Sequence, residues 1–307
     1  MRALLTGASG FVGGWLREYL ETQGDEVVAL AESIDIRDAA AVATALGEQE
    51  PEAVYHLAAL THVGRSWDEP AETFSVNAMG TLNVLEAARR VAEPPVVLLV
   101  SSAEVYGSVG DAPVREDAPL RPVSPYAASK VAAEYLGVQA VLGRSLRVVR
   151  ARPFNHVGPG QAPNFVVSAL ARRIALAELG GGGVVAVGNL EPRRDITDVR
   201  DVVRAYRLLV ERGAPGEAYN VASGRTVTIA EVLDELVGLA KCPIEVVQDP
   251  ALVRPVEVPV LSGDATRLAE RTGWRAEIPL GQTLGDVLEH WRLQLRDEPP
   301  PGEQPDA

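Results

Sequence analysis

Three glycines spaced three apart stand directly behind a short apolar run at the start of the chain, Ala3-Leu4-Leu5-Thr6-Gly7-Ala8-Ser9-Gly10-Phe11-Val12-Gly13. A strand that must turn within a few residues and continue as a helix leaves few folds open. Gly7 permits the tight turn, Gly10 lets backbone approach a ligand, and Gly13 lets the helix pack on the strand it has just left. The amides at the start of such a helix face an anion. The pattern therefore suits the pyrophosphate of a dinucleotide, with Gly7, Ser9, Gly10, Phe11, Val12 and Gly13 as contacts. A plain glycine turn has the same spacing, but the strand before it and the helix after it favour the dinucleotide.

The rest of the first half keeps that rhythm. Apolar runs at 3–6, 26–31, 53–57, 96–101 and 146–152 read as buried strands. Amphipathic stretches at 11–23, 38–48, 71–91 and 125–142 read as the helices between them. The alternation predicts an α/β fold, a Rossmann-type doubly wound parallel sheet with helices on both faces. Beyond residue 152 the pattern loosens. A helix at 164–179 stops at Gly180-Gly181-Gly182-Gly183, and a strand at 184–187, a helix at 199–211 and a sheet strand at 217–221 follow. The remainder to 295 reads as helix-rich. The expected division is a dinucleotide-binding domain of 1–160 with 188–225 and a smaller, mostly helical C-terminal substrate domain of 161–187 with 226–296. An acidic, proline-rich disordered tail is expected at 297–307.

Composition narrows the function classes. A net charge of −13 argues against a nucleic-acid or anionic-membrane surface, which needs clustered positive potential. Cys242 is the only cysteine, so no intrachain disulfide forms and a cytoplasmic location fits. The opening residues are too short an apolar run for a signal-peptide core or a membrane span. No metal ligands are assigned.

Several residues near the strand ends suit the same cofactor. Asp35 and Ile36 fit an adenine contact, with helix capping the plain alternative for the aspartate. Leu57, Ala58 and Ala59 end the third strand with small residues that let a cofactor pass, or simply pack closely. Asn77, on a helix otherwise apolar toward the sheet, is either a buried structural residue or part of an active-site water network. After the second strand Glu32 can accept from the free ribose hydroxyls of NAD, and no arginine appears until Arg37. NAD(H) or NADP(H) is expected, with NADH favoured.

Of 29 basic residues only Lys130 and Lys241 are lysine. Lys130 stands four after Tyr126, on one face if the stretch is helical. A cation beside a phenol lowers its pKa from about 10 and makes it a usable acid or base. Ser102, behind the fourth strand, can hydrogen-bond a carbonyl oxygen beside Tyr126.

The glycine motif, the strand-end serine and the Tyr-x-x-x-Lys pair together resemble the extended short-chain dehydrogenase/reductase family over nearly the whole chain. That resemblance implies catalytic roles for Ser102, Tyr126 and Lys130. Three stretches, 152–161, 188–201 and 254–259, are similar to reductases of GDP-4-keto-6-deoxy-D-mannose, which form GDP-D-rhamnose. Pro153 in the first stretch falls to the cofactor. Asn155, Asn189, Arg194 and Arg254 fall to a GDP-linked sugar, with the two arginines on its pyrophosphate. A salt bridge with Asp195 or Glu257 is the alternative for those arginines. Residues 61–67 are expected as a loop over the sugar. The resemblance also implies a homodimer built on a four-helix bundle from 71–91 and 125–142.

Related 4,6-dehydratases carry Thr-Asp-Glu or Thr-Ser-Glu where this chain has Ser102-Ala103-Glu104. Glu104 could serve as a base at C5, but Ala103 can neither donate nor accept a proton. Hydride transfer to a 4-keto group is therefore the leading expectation. A 4-epimerase or a GDP-mannose 4,6-dehydratase stands second, and a cofactor-binding regulator without catalysis third.

Overall fold

The computed structural model describes residues 1–252 and 258–297. In chain order β1 (Arg2–Thr6) leads through the glycine turn into α1 (Phe11–Thr22), followed by β2 (Glu26–Ala29), α2 (Ala39–Gln49), β3 (Ala53–His56), α3 (Val63–Asp68), α4 (Pro70–Phe74) and α5 (Gly80–Ala88). Then come β4 (Val96–Val100), α6 (Pro125–Arg144), β5 (Arg147–Pro153), β6 (Asn155–Val157), α7 (Val166–Leu179), β7 (Gly183–Val187), β8 (Arg193–Asp198) and α8 (Val199–Arg212). The last described part holds β9 (Ala218–Val221), β10 (Thr226–Thr228), α9 (Ile229–Gly238), β11 (Ile244–Gln248), β12 (Val260–Leu261), α10 (Thr266–Thr272) and α11 (Leu280–Asp297).

Six parallel strands form the central sheet in the order β2-β1-β3-β4-β5-β9. The two-residue period sorts its faces. Ala3 and Leu5 pack with Tyr55, Val149 and Tyr219 under α1 and α8, while Leu4 packs with Val54, Val97 and Val148 under α2, α5 and α6. Each buried leucine or valine here contributes roughly 1.5–3 kcal/mol. The chain reverses direction across the sheet between β1 and β3, which opens a crevice at their C-terminal ends. A second core joins α7, α9 and α11 to β7 through Ile174, Val185, Leu236, Leu284 and Leu288. Among the described residues no helix is long and apolar enough to cross a membrane.

Three stretches differ from expectation. The helix expected at 71–91 is broken by a π-helical turn, Ser75–Met79, between α4 and α5. The wider turn brings the Asn77 side chain into reach of Leu60 and Ser129, and those bonds stabilise it. The loop expected at 61–67 instead contains α3, whose first turn is capped by His62: the Nδ1 atom accepts from the Arg65 amide at 2.9 Å. The C-terminal part is mixed rather than mostly helical, with β10-β8-β12 in one small sheet, β6 added on β8, and β11-β7 in another. Strands such as β10 and β12 are too short to show a period of their own. Arg254 and the expected tail beyond 297 lie outside the described residues.

Candidate active site

The glycine turn sits at the crevice mouth. Gly7 has φ of +72°, and a Cβ there would lie 2.8 Å from the Ala58 amide nitrogen. A Cβ on Gly13 would lie 2.2 Å from the Gly7 carbonyl oxygen. Both positions are closed to any side chain, so the turn brings bare backbone to the crevice. Gly10 caps α1 without a side-chain bond, which leaves the first-turn amides of Phe11, Val12 and Gly13 for an anion. Ser9 is exposed beside them. This cradle fits a dinucleotide pyrophosphate.

A chain of buried hydrogen bonds runs from the turn to α6. The Ala58 amide donates to Thr6 Oγ1 at 3.1 Å, and Thr6 stands 2.8 Å from His56 Nδ1. His56 Nε2 stands 2.9 Å from Thr81 Oγ1, which donates to the Asn77 carbonyl at 2.6 Å. Since Thr81 spends its proton on that carbonyl, it accepts from His56, so the imidazole proton sits on Nε2 and Nδ1 accepts from Thr6. Burial, with some help from the charge of Lys130, pushes the His56 pKa down to about 3 and keeps the ring neutral. The Asn77 side chain accepts from the Leu60 amide at 2.8 Å and donates to the Leu60 carbonyl at 3.0 Å and to Ser129 Oγ at 2.9 Å. Ser129 in turn donates to the Tyr126 carbonyl at 2.7 Å. The end of β3 and the start of α6 are thus tied together.

Ser124 caps α6 through the Ala127 amide, and Pro125 occupies the first turn. That entry sets Tyr126 and Lys130 on the crevice side, both buried. The Tyr126 phenol lies close enough to the Ser102 hydroxyl to feel its dipole. Burial pushes it up to about 12, Ser102 pulls the other way, and Glu104 adds to the rise. The lowered phenol pKa expected from the neighbouring lysine is not what these surroundings produce, because burial dominates. Lys130 Nζ donates to the Val100 carbonyl at 3.0 Å. Burial drives its pKa down to about 8 against the raising effect of Glu134.

Beneath Lys130 lies an ion-pair cluster. The fully buried Glu134 carboxylate accepts from Arg152 Nε at 2.8 Å, from a terminal Arg152 nitrogen at 2.7 Å, and from Arg150 at 3.0 Å. Burial alone would raise its pKa, but the guanidiniums more than offset this and hold it below its ordinary value. Arg152 also donates to the Tyr106 hydroxyl at 2.8 Å and the Glu116 carbonyl at 3.0 Å. One side chain therefore links α6, the 3₁₀ turn Ala103–Tyr106 that carries Glu104, and β5, which runs to Pro153 and the cleft.

The cleft beside this group has a volume of about 390 Å³ and is lined by Glu104, Asn155, His156, Asn189 and Arg194, among others. Two histidines at its edge are held as opposite tautomers. His62 Nδ1 accepts a backbone proton, which leaves Nε2–H as a donor. His156 Nδ1 stands 3.0 Å from the Phe154 carbonyl and donates to it, which leaves Nε2 as an acceptor. Burial lowers the His156 pKa, so this ring is neutral. It lies parallel to Phe11 of the glycine turn, with centroids 6.4 Å apart.

The structure thus gathers Gly7, Ser9, Gly10, Phe11, Val12, Gly13, Leu57, Ala58 and Ala59 at the crevice, Asn77 behind them, and Ser102, Glu104, Tyr126, Lys130 and Pro153 across it. Asn155, Asn189 and Arg194 share the cleft. On the adenine side Glu32 is exposed. Asp35 grips Arg37 through its amide and guanidinium, and Arg37 also pairs with Glu72 at 2.8 Å. Ile36 is buried against Gly80, where a Cβ would lie 2.5 Å from it. Sequence reasoning missed His56, Glu134, Arg152, His156 and Arg173. His56 and Arg152, charged or polar residues inside apolar strand runs, carried a readable signal.

Comparison with known proteins gives consistent results. The family model described as GDP-mannose 4,6 dehydratase matches residues 31–287. GDP-6-deoxy-D-mannose reductase from Pseudomonas aeruginosa is 38% identical over 302 residues, 97% of this chain and 99% of that one. The structure of RMD from Pseudomonas aeruginosa complexed with NADPH has a TM-score of 0.89 at 37% identity, covering 96% of this chain and 100% of that one. Thermus thermophilus UDP-glucose 4-epimerase complexed with NAD has a TM-score of 0.86 at 30% identity, covering 95% and 99%. The chain belongs to the extended short-chain dehydrogenase/reductase family of NAD(P)-dependent, nucleotide-sugar-modifying enzymes.

Proposed function

We propose that this protein reduces the 4-keto group of a nucleotide-linked 4-keto-6-deoxyhexose, converting GDP-4-keto-6-deoxy-D-mannose to GDP-D-rhamnose. The observation that carries the reading is the buried Tyr126, one helical turn before the buried Lys130 and close to Ser102, with a cleft of about 390 Å³ nearby lined by Glu104, Asn155 and Arg194. Similarity to the Pseudomonas aeruginosa reductase supports the choice of substrate.

A bound reduced nicotinamide supplies the hydride for carbon 4. The glycine turn and the first-turn amides of α1 hold the pyrophosphate, and Lys130 bonds a ribose hydroxyl. Ser102 and Tyr126 bond the carbonyl oxygen. A phenol with a pKa near 12 keeps its proton until the more basic alkoxide develops on that oxygen, then gives it up. Asn155, Asn189 and Arg194 hold the diphosphate and sugar oxygens. Glu104 lines the cleft and favours elimination chemistry as the second reading, but its neighbour Ala103 is a buried methyl with no proton to move.

An exposed Glu32 behind the second strand suits the free ribose hydroxyls of NADH, and Arg37, the nearest following arginine, is engaged by Asp35 and Glu72, which supports NADH over NADPH. Exposed Met79, Tyr135 and Leu142 on the π turn and α6 support a symmetric dimer through that face. The test is incubation with GDP-4-keto-6-deoxy-D-mannose and each reduced cofactor, with product identification. The expected result is GDP-D-rhamnose with oxidised cofactor in equal amount. Absence of cofactor consumption overturns the reading.

A further inference from the structure

The cleft carries a second guanidinium besides Arg194. On α7, Val166, Ala169, Leu170 and Arg173 line it at spacings of three, four and seven, one face of the helix. Arg173 donates one terminal nitrogen to the Ala186 carbonyl on β7. Among the described residues no carboxylate pairs with it, and the side chain lines the cleft. Its neighbour Arg172 turns the other way and lies over the Trp291 ring. A cleft-lining helix face that spends an arginine on one carbonyl and an open cleft is arranged for a ligand with acceptors.

Its position in the cleft says which part of a ligand it meets. Ser168 Oγ donates to the Gln161 carbonyl, and the Gln161 side chain donates to the His156 carbonyl at 2.9 Å. These bonds tie the first turns of α7 to the Asn155–His156 end, beside Glu104 and the strand ends. Arg173 lies five residues further, about 7–8 Å along the axis. There the walls are apolar, Leu170, Val187 and Leu252, and a Cβ on Gly188 would lie 2.5 Å from the Leu252 carbonyl, so the slot is narrow. A sugar nucleotide whose reacting sugar met Tyr126 and whose diphosphate met Arg194 would bring its base to this narrow end.

We propose that Arg173 reads the nucleobase and selects a 6-oxopurine nucleoside diphosphate, an inference that rests on the sugar-nucleotide reading above. The guanidinium fork matches two adjacent acceptors, the O6 and N7 atoms of guanine or hypoxanthine. Adenine sets an amino donor beside N7, and uracil has no N7. Arginine held at one nitrogen by Ala186 is already oriented, so little freedom is lost on binding.

Calorimetric titration of GDP, IDP, ADP and UDP into wild type, Arg173→Met and Arg173→Lys tests this, with circular dichroism reporting the fold of each. Wild type is expected to bind GDP and IDP alike and about 10–100-fold tighter than ADP and UDP. In Arg173→Met the two oxopurine nucleotides fall to the level of the others, whose affinities stay unchanged. Arg173→Lys keeps the charge, loses the fork, and loses most of the discrimination. Equal weakening of all four ligands marks a phosphate contact and overturns the proposal, as does unchanged GDP affinity. A wild type that prefers UDP or ADP overturns the proposal alone, whereas binding of none of the four overturns the sugar-nucleotide reading with it.

Discussion

The two walls of the crevice are finished differently. Around the glycine turn every polar group of the Thr6–His56–Thr81–Asn77–Ser129 chain is bonded to another protein group. Across it, His62, His156 and Arg173 each commit one nitrogen to backbone and keep another for the cleft. A wall whose polar groups are all satisfied is rigid and suits one unchanging ligand. A wall of oriented but unspent donors and acceptors suits a ligand whose sugar and base differ between relatives. The contrast separates residues whose loss unfolds the protein from residues whose loss only changes what it accepts.

The largest effect expected is on turnover. Tyr126→Phe should lower kcat by about 10²–10⁴-fold while NADH affinity, measured by fluorescence titration, stays within a few-fold. Residual activity near wild type would remove Tyr126 from the chemistry. Next, Arg152→Met leaves Glu134 buried without its main partner and should cost about 3–5 kcal/mol in urea denaturation. Asn155→Ala, on the open wall, should cost under about 0.5 kcal/mol and raise KM for the sugar nucleotide. Equal costs for the two would erase the distinction between fully bonded polar groups and those left for the cleft.

Lys130 separates stability from activity. Its native pKa of about 8 lies below the unfolded value of about 10.4. Between these values the unfolded chain binds a proton that the native protein does not, so stability rises with pH across that window. Below about pH 8 the full cost of burying the ammonium is present. Lys130→Met should therefore stabilise the protein at pH 7 by about 1–3 kcal/mol, a gain that shrinks toward pH 10, while turnover collapses. Wild-type activity should fall as pH rises through about 8 and the ammonium is lost. A variant no more stable at pH 7 than wild type contradicts this account. The smallest effect belongs to the exposed edge. Glu32→Arg should shift kcat/KM from NADH toward NADPH, and a wild type already faster with NADPH would show that Glu32 is not the selector.

Much of the sheet was legible because its strands are apolar and its turns need glycine. Gly7 and Gly13 follow from backbone geometry that no other residue satisfies. Tyr126 and Lys130 share a helix turn, and helical spacing is a local property. The ion pair of Glu134 with Arg152 joins α6 to β5 across many residues, and only the packed fold brings it together. The π turn at Asn77 was hidden because 71–91 is apolar enough for one helix, and the break is stabilised by partners at Leu60 and Ser129. The rise in the Tyr126 pKa is hidden for the same reason: the neighbouring cation is written in the spacing, but the depth of burial is not.

The order of the central sheet also dictates when the protein can fold. β9 is the outer partner of β5, yet β6, α7, β7, β8 and α8 all intervene between them. During synthesis the chain emerges from its N-terminus, so the outer edge of β5 keeps its hydrogen-bonding groups unpaired until residues 218–221 leave the ribosome. That edge belongs to a seven-residue strand, Arg147–Pro153, and its unpaired backbone groups are a template for misplaced pairing with another chain. Such distant parallel pairing is intrinsically slow. Expression yield should therefore depend on how quickly the segment from β6 to α8 is made and packed, and a pause between residues 153 and 218 would feed aggregation rather than the native sheet.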